Sequence, residues 1–523
     1  MPKPEVLLIG IDGATFNLID PWVDLGYLPV LGGMLRHGVR GTLSSTHTPN
    51  AMPAWKAVTT GKNPGKLGVF NWKNKTYGSY EAKTVDPETV GGRDIWQIIG
   101  DAGKTVAVVG VPFTWQPQPV NGALLTGMLT PPNSDFAYPP ELATEILREL
   151  GEYRIDPQVL SVPAEEALLE EQMANINNRF HVVRHLLQKN KYDFVMVVFT
   201  APDRIQHWFW PPTKAQKGTT LQAYQQIDWA IAQMRGLIDP DTTIMVVSDH
   251  GFMDLERIFH VNQLFANLGW LVIEERGIGW AEQLGVTKGR IKEFVQRLTN
   301  EQVGASLPDS EKQLLTLGAF GLDMSRTRAW AWSGGEVFIN LRDREPHGIV
   351  APEEYNAFRK QIIDTIESVQ DNGRRLNVRV FTREEIYSGP LLEHAPDLMI
   401  ELREPGYAMA NHVTGTQPVE ILPGRLFSVN GGSGGTHTMD AIFTAAGPLM
   451  EPRLVLQNAS IIDAAPTVLH LMGLPVPADM DGKVMPIFAR GSPPAERQVR
   501  VSDVEEKLFE PESPESKQRE MAR

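Results

Sequence analysis

The segment VLLIGID, residues 6–12, joins a continuous apolar run to a carboxylate. Two later apolar runs, at 194–199 and 244–247, are likewise followed within a few residues by side chains of metal-ligand type. Apolar runs without alternation are typical of strands that are buried on both faces, as in a parallel sheet. The pattern therefore predicts an α/β fold in which three strands lead into chemically active side chains.

Helical patterns precede the second and third of these runs. Apolar residues recur at steps of three and four between residues 169 and 187, and again between 221 and 234. Such steps place the apolar side chains on one face of a helix. Two helix-then-strand units in series predict a doubly wound sheet.

The regions outside these units differ in character. Residues 255–335 interrupt the α/β pattern with short helical segments and several glycines, which predicts a cap-like insertion that covers the site and governs the choice of substrate. Candidate site residues occur on both sides of this insertion, so we expect 1–254 and 336–490 to form one core. Residues 491–523 are rich in Pro, Glu and Ser, and they are expected to form a disordered tail.

Composition excludes several classes of protein. The formal net charge of −14 argues against a nucleic-acid footprint, because that needs a basic surface. Cysteine is absent, which excludes disulfides and thiolate metal sites. No apolar run reaches the length of a membrane span, and the first residues lack the apolar core of a signal peptide. We therefore expect a cytoplasmic protein, and the oligomeric state is left open.

Six residues of metal-ligand type lie in four segments. They are Asp12, Asp203, His207, Asp249, His250 and His437. Loops at the carboxyl ends of strands gather side chains from distant parts of an α/β chain, and ligands collect there. Taken alone, each motif has a plainer explanation: a surface helical pair at 203 and 207, a polar turn at 249–250, or a flexible glycine-rich loop before His437.

Taken together, the six residues predict a site for two metal ions at one edge of the sheet. Carboxylate and imidazole ligands without sulfur suit Zn²⁺, with Mn²⁺ as the alternative. Two such ions about 4 Å apart activate an oxygen nucleophile and stabilise the leaving oxygen in phosphoryl transfer. The predicted substrate is accordingly a small phosphoester.

Short motifs over nearly the whole chain resemble those of one known family. These are Ile9-Gly10-Ile11-Asp12-Gly13, Pro53-Ala54-Trp55, Thr60-Gly61-Lys62-Asn63-Pro64-Gly65-Lys66, Asp203 with His207, Ser248-Asp249-His250-Gly251, Gly435-Thr436-His437, and Asp463-Ala464-Ala465-Pro466-Thr467-Val468-Leu469-His470 running into Met480-Asp481-Gly482. The family is the type I phosphodiesterase/nucleotide pyrophosphatase family of the alkaline phosphatase superfamily.

The resemblance implies an alkaline-phosphatase-like α/β/α sandwich with a cap insertion. It also implies a two-metal hydrolase of phosphoric esters, a phosphodiesterase or nucleotide pyrophosphatase that acts on nucleotide-like or other small phosphodiesters. By the same resemblance, one metal is held by Asp203, His207 and His437. The other is held by Asp12, Asp249 and His250.

The chain departs from this family at two positions. Ala51 lies two residues before Pro53, where family members place a Thr or Ser nucleophile, and Leu67 stands where a histidine usually precedes Gly68. Alanine cannot attack phosphorus, so we expect the chain as written to be inactive or slow. Three explanations are open: a natural degenerate member, a deliberate nucleophile variant, or attack by hydroxide that the metals generate.

Other functions are also open. A phosphoglycerate-mutase-like phosphotransferase belongs to the same superfamily, whereas a sulfatase normally needs a modified Cys or Ser and the chain has no Cys. From a different class, a catalytically silent protein that binds metal and ligand is favoured by Ala51 and Leu67. The presence of all six residues of metal-ligand type argues against the loss of catalytic function.

Overall fold

A nine-stranded mixed sheet forms the centre of the computed structural model. The structure describes residues 4–156, 164–210, 218–273, 321–332, 334–411, 413, 418–421 and 434–503. The strands of the central sheet, numbered in chain order, are β1 Val6–Ile11, β2 Val39–Ser44, β3 Val106–Val111, β4 Gly122–Thr126, β5 Ala137–Tyr138, β6 Phe194–Phe199, β7 Thr243–Val247, β8 Asp440–Ala446 and β9 Val455–Ser460. Across the sheet they lie in the order β9-β2-β8-β7-β1-β6-β3-β4-β5.

The middle of this sheet is parallel. The five neighbouring strands from β7 to β4 run in the same direction, and every residue of β1, β6 and β7 is buried. Because the three strands are parallel neighbours, their carboxyl ends reach the same edge of the sheet. The prediction of a buried parallel sheet is confirmed here, whereas β8 and β5 join antiparallel and make the whole sheet mixed.

Helices cover both faces and create two hydrophobic cores. Because side chains alternate between the faces of a strand, Leu7 and Ile9 face one core while Val6 and Leu8 face the other. The first core contains helices Phe16–Asp24, Pro29–His37, Pro140–Leu150, Glu165–Lys189 and Thr219–Arg235. The second contains Ala51–Thr60, Ile95–Asp101 and Ala464–Leu471. This is the expected α/β/α sandwich.

A smaller four-stranded sheet carries a third hydrophobic cluster. Its strands, in spatial order, are Ala329–Ala331, Glu336–Ile339, Leu398–Leu402 and Val378–Thr382, and helices Val261–Asn267 and Tyr355–Glu367 contribute to the same cluster. The sequence pattern predicts a boundary at 335/336, yet Ala329 pairs with Ile339 across it. The short strands lack the long buried runs on which that boundary was based. Residues 274–320 of the expected insertion lie outside the described residues.

Short elements complete the described chain. The helices are Pro64–Leu67, Ala201–Gln206, Arg383–Ile386 and Pro493–Glu496, with 3₁₀ turns at Pro87–Thr89, Pro352–Glu354, Leu392–His394 and Ile461–Asp463. The strands are Lys73–Lys75, Ala82–Thr84, Gly251–Asp254, Arg257–His260, Gln370–Asp371, Arg374–Arg375, Tyr407–Ala410, Val419–Ile421, Gly435–Thr438, Val476–Pro477 and Val501–Ser502. None of the helices in the described part of the chain has the length and apolar character needed to cross a bilayer.

The start of the expected disordered tail has regular structure. Residues 493–496 form a short helix, and Val501 pairs with Val476 in a two-stranded sheet. The rest of that tail, 504–523, lies outside the described residues.

Gly10 provides a test of the packing that holds β1 against the second core. A Cβ at this position would lie 2.4 Å from Cη2 of Trp55 and 2.8 Å from Cγ2 of Val198. We therefore expect Gly10→Ala to lower the free energy of unfolding by about 1–3 kcal/mol, the usual cost of overpacking. The measurement is the midpoint of urea unfolding, followed by tryptophan fluorescence.

The matched control is Gly33→Ala in helix Pro29–His37, where an added Cβ meets no atom within 4 Å. This variant should keep or raise the unfolding midpoint, because alanine is favoured over glycine inside a helix by about 0.5–1 kcal/mol. Equal midpoints for the two variants would show that Gly10 is not tightly packed.

Candidate metal centre

The structure brings all six candidate ligands together beyond the carboxyl ends of β1, β6 and β7. Asp12 follows β1, and its backbone N–H donates to the Phe199 carbonyl at the end of β6 at 2.9 Å. Asp249 and His250 follow β7 directly after Ser248. The parallel pairing of the three strands therefore places these side chains close together at one edge of the sheet.

Asp203, His207 and His437 form the outer part of this site. Oδ1 of Asp203 lies 3.4 Å from Nε2 of His207 and 3.0 Å from Nε2 of His437, and the two Nε2 atoms are 3.0 Å apart. A tetrahedral zinc ion with ligands at about 2.0–2.1 Å separates its ligand atoms by about 3.3 Å. The triangle of three atoms is thus close to the size that such an ion requires.

Local structure explains how these three side chains meet. Helix Ala201–Gln206 starts one residue after β6, and His207 is its C-cap residue, so Asp203 and His207 lie one turn apart. His437 lies on strand Gly435–Thr438, which pairs antiparallel with Gly251–Asp254. Nδ1 of His437 is 2.7 Å from the Pro49 carbonyl oxygen, which fixes the proton on Nδ1 and leaves Nε2 free to bind a cation.

Asp12, Asp249 and His250 form the inner, fully buried part. Nε2 of His250 lies 3.2 Å from Oδ2 of Asp249 and 3.7 Å from Oδ1 of Asp12. The second oxygen of each carboxylate is held in place, because Gly13 N–H donates to Oδ1 of Asp249 and Trp55 Nε1–H donates to Oδ2 of Asp12, both at 3.1 Å.

The three atoms that face one another in this inner part have no hydrogen bond within the described chain. They are Oδ1 of Asp12, Oδ2 of Asp249 and Nε2 of His250. A buried polar atom without a partner costs on the order of 1–3 kcal/mol, so a cluster of three is unusual. A divalent cation would give all three a partner, and the donor set of two carboxylates and one imidazole suits it.

The inner and outer parts adjoin through two histidines. The rings of His250 and His437 stack with centroids 3.8 Å apart, and Nε2 of His250 lies 4.0 Å from Oδ1 of Asp203. Asp203, His250 and His437 consequently form a compact group in their own right. His250 stands between the two parts of the site.

The electrostatics of the site favour a cation. Burial raises the pKa of Asp249 to about 8 and raises the pKa of Asp12 well above its ordinary value, and neighbouring carboxylates add to both shifts. Burial, reinforced by His437, lowers the pKa of His250. At Asp203 burial is outweighed by His207 and His437, which hold the pKa of that carboxyl well below its usual range. A bound cation would favour the ionised carboxylates throughout.

Ala51 lies at the N-terminus of the helix that borders the site. It is the first residue of helix Ala51–Thr60, is buried, and follows the N-cap residue Asn50. Trp55, one turn further on, lies on the same face and donates to Asp12. Position 51 therefore lies on the same helix face as a residue that contacts Asp12, and its methyl group packs in the second core. Leu67, the other departure from the family, packs in a small hydrophobic cluster.

A series of side-chain hydrogen bonds beside Ala51 is not predicted by the sequence pattern. The Nδ2 group of Asn50 donates to Oδ1 of Asn71 at 2.6 Å, and the Nδ2 group of Asn71 donates to Oε1 of Glu336. Glu336 is buried, burial raises its pKa, and its Oε2 has no hydrogen bond within the described chain. These residues come from separate segments without a characteristic spacing, so no sequence pattern could have identified these hydrogen bonds.

A cleft of about 310 Å³ opens beside His207 and His437. Its walls combine the amide of Asn71 with the large side chains of Trp72 and Tyr407. The cleft therefore offers a small ligand both polar and aromatic contacts next to the candidate metal centre.

The comparison with protein families identifies the class of this chain. The model of the type I phosphodiesterase / nucleotide pyrophosphatase family matches residues 6–440, a range that includes all six candidate ligands. Because the match covers most of the chain, the chain belongs to this family of phosphoester hydrolases, as the sequence motifs indicated. Family members depend on metal ions, usually two.

Two solved structures of phosphonoacetate hydrolase share the fold at low sequence identity. Phosphonoacetate hydrolase from Sinorhizobium meliloti 1021 in complex with phosphonoacetate has a TM-score of 0.54 at 15% identity, over 89% of this chain and 94% of that chain. Its complex with phosphonoformate gives 0.53 over the same shares, also at 15% identity. Human ectonucleotide pyrophosphatase / phosphodiesterase 5 gives 0.48 at 12% identity, over 90% and 95%. No curated protein matches the chain.

Two substitutions test the candidate ligands. His437→Ala and Asp249→Ala should each reduce the metal content of protein purified without chelator and lower its melting temperature, because a bound ion stabilises the native state by about 2.7 kcal/mol at a hundredfold excess over its dissociation constant. Elemental analysis and thermal denaturation make the measurement. His185→Ala, which removes a surface contact with Glu145, is the control and should change neither. Full metal content in both site variants would refute the assignment.

The pKa shifts predict how the metal-free protein responds to pH. Burial raises the pKa of Asp249 to about 8 in the folded state. Folding therefore takes up a proton at any pH between the unfolded-state pKa of this carboxyl and its folded-state pKa. In EDTA, the free energy of unfolding should therefore fall between about pH 6.5 and 8, by on the order of 1.4 kcal/mol per pH unit from Asp249 alone, and Asp12, whose pKa is also raised, adds to the decline. Below about pH 6.5 the decline should be less steep, because the unfolded state then protonates His250, whose folded-state pKa is lowered.

Urea unfolding at a series of pH values in EDTA measures this slope. The Asp249→Asn variant removes the titrating carboxyl and should show a shallower decline between about pH 6.5 and 8. The same slope in both proteins would mean that Asp249 is not the group that loses its proton there.

Proposed function

We propose that this chain is a two-metal phosphodiesterase of the nucleotide pyrophosphatase type. In this proposal one ion is bound by Asp203, His207 and His437, and the other by Asp12, Asp249 and His250. The observation that carries the proposal is the cluster of buried candidate ligand atoms in the inner part of the site, which have no hydrogen bond within the described residues. Zn²⁺ is the proposed metal, because the donors are carboxylates and imidazoles without sulfur, and Mn²⁺ is the alternative.

When bound, the two cations would neutralise charge on the phosphate and activate an oxygen nucleophile. Backbone carbonyl groups of the chain orient the two histidine side chains that would bind the metals. The Pro49 carbonyl accepts from Nδ1 of His437, and the Gly251 carbonyl lies 3.1 Å from Nδ1 of His250, so the Nε2 atoms of both rings point into the site. Contacts of this kind fix the ring orientation and raise the basicity of the ligand.

The residue at position 51 decides whether a covalent phospho-enzyme can form. With Thr or Ser there, the side-chain oxygen would bond to phosphorus, the leaving alcohol would depart, and water would then cleave the phospho-enzyme. Ala51 has no oxygen, so no phosphoryl group can be held at this position. The proposed activity of the chain as written is accordingly slow hydrolysis by direct attack of water.

A second candidate function is binding without turnover. It is favoured by Ala51, which removes the nucleophile and leaves the candidate ligands in place. The cleft beside His207 and His437 would in that case hold a small phosphoester without cleaving it. Turnover of bis(4-nitrophenyl) phosphate in the presence of Zn²⁺ or Mn²⁺ separates the two functions. A cytoplasmic location, compatible with the absence of cysteine, is part of the proposal.

Restoring a hydroxyl tests the role assigned to position 51. Ala51→Thr should raise the hydrolysis of bis(4-nitrophenyl) phosphate by two orders of magnitude or more (about 3 kcal/mol), because a positioned nucleophile replaces water from solution. Ala51→Val is the matched control, since it has the shape of threonine without the oxygen. It should stay as slow as the unmodified chain.

The stereochemistry at phosphorus gives an independent check. In the Ala51→Thr protein, two displacements through the introduced threonine should retain configuration in a phosphorus-chiral substrate, whereas a single attack by water in the unmodified chain should invert it. Rapid turnover with retention by the unmodified chain would show that another residue is the nucleophile.

A further inference from the structure

A second cavity of about 570 Å³ adjoins the cleft at the candidate metal centre. It lies between the carboxyl end of β2 in the central sheet and the smaller sheet. His47, Glu401 and Met439 line both spaces, so the cavity and the cleft are neighbours that share a wall. A ligand bound in the cleft could therefore extend into the cavity.

The smaller sheet presents two cations to this cavity. Arg379 lies directly opposite Glu401 on the neighbouring strand, and Arg403 follows two residues after Glu401. Because side chains alternate along a strand, Arg379, Phe381, Glu401 and Arg403 share one face, and all four line the cavity. This face is therefore the cationic wall of the cavity.

Arg379 is the less neutralised of the two cations. Its guanidinium lies 4.4 Å from the centre of the Phe381 ring, and within the described chain no carboxylate is at salt-bridge distance from it. Arg403 donates through Nε to Oε1 of Glu401, which leaves its terminal N–H groups for another acceptor. Two guanidinium groups against one carboxylate leave these four side chains with a net positive charge, and the Glu385 carboxylate, which interacts with Arg379, does not line the cavity.

His47 at the shared wall responds to the same charges. Its ring packs against Phe381, with centroids 4.9 Å apart, and its Nδ1 lies 3.4 Å from Oε2 of Glu401. Burial lowers the pKa of His47, Glu401 opposes this shift, and Arg403 and Arg379 add to it. The positive charge of the wall is thus carried by the arginines and not by His47.

The opposite wall, from the central sheet and the loops beside it, is rich in hydroxyl groups. Ser44, Thr46 and Ser460 line it, with the hydroxyl of Ser460 donating to the Ser44 carbonyl at 2.9 Å. Ser45, also in this wall, donates to the Asp249 carbonyl at 2.6 Å and so connects the cavity to the candidate metal centre. A wall of guanidinium groups facing a wall of hydroxyls suits a phosphorylated polyol.

We infer that this cavity is a subsite for a second phosphate group, carried on a hydroxylated part of the substrate that is not transferred. The inference rests on the proposed function only for the identity of the ligand in the neighbouring cleft. It narrows the substrate class to phosphodiesters with a phosphorylated, sugar-like leaving group. Arg379 and Arg403 bind the phosphate. The Thr46 and Ser460 hydroxyls, which donate their own protons to the Thr48 and Ser44 carbonyls, accept hydrogen bonds from the polyol.

Calorimetric titration with ribose 5-phosphate and with ribose tests the subsite. The full-length protein is titrated in EDTA, so that no metal ion can hold the phosphate. Ribose 5-phosphate should bind more tightly than ribose, and Arg379→Met should weaken its binding about tenfold or more, the effect of losing a charged hydrogen-bond donor. Glu401→Gln should strengthen binding, because it frees Arg403 from a competing carboxylate.

Arg328→Met is the matched control, since the Arg328 guanidinium also lies over a phenylalanine ring, Phe358 at 4.0 Å, but away from the cavity. It should bind ribose 5-phosphate like the unmodified chain. Equal binding of ribose and ribose 5-phosphate, or an Arg379→Met affinity equal to that of the control, would overturn the subsite. Because this assay contains no metal, its result does not depend on the proposed hydrolase activity.

A kinetic experiment tests whether the subsite serves the substrate. In metal-loaded Ala51→Thr protein, ribose 5-phosphate should inhibit phosphodiester hydrolysis competitively, and Arg379→Met should raise the inhibition constant about tenfold. Inhibition that is not competitive would mean a separate effector site and would overturn the assignment to the substrate. If no protein shows turnover, the proposed function fails, and the calorimetric result alone decides whether the cavity binds phosphate.

Discussion

Three candidate ligand atoms face one another in the interior without a hydrogen bond to any residue that the structure describes, and the rest of the candidate site is arranged around them. Asp12, Asp249 and His250 follow the ends of β1 and β7 and are almost completely buried. Gly13 N–H and Trp55 Nε1–H each hold one oxygen of a carboxylate and leave the other turned inward. Two ionised carboxylates in this position repel each other, and a cation removes both the repulsion and the lack of partners.

The parts of the fold that the sequence predicted are those with a strong local signal. Strands β1, β6 and β7 are buried on both faces, so their apolar runs were visible, and the residues after them were plausible ligands. The position of His437 depends on antiparallel pairing with Gly251–Asp254, and no periodicity encodes that register. The same limit applies to the Asn71–Glu336 contact, which joins segments 265 residues apart, and to the strands on both sides of 335/336, which are too short to show a pattern.

In the proposed function, Ala51 allows binding but removes the covalent step. The N-cap of its helix is intact, since Asn50 still accepts from the Met52 N–H at 3.2 Å, and Trp55 on the same helix still contacts Asp12. Alanine at position 51 is therefore compatible with the helix cap and with the contact between Trp55 and Asp12. A site of this kind can bind metal ions and a phosphoester while lacking the covalent step, and the neighbouring cavity with Arg379 adds a means of choosing the ligand.

Anomalous diffraction from crystals is the most direct test of the two-metal centre. Crystals grown with Zn²⁺ would be measured on both sides of the zinc absorption edge, so that the difference locates zinc alone. We expect two peaks, each about 2.0–2.2 Å from its ligand atoms, one among Asp203, His207 and His437 and one among Asp12, Asp249 and His250. A single peak, or peaks away from these six side chains, would contradict the two-metal centre.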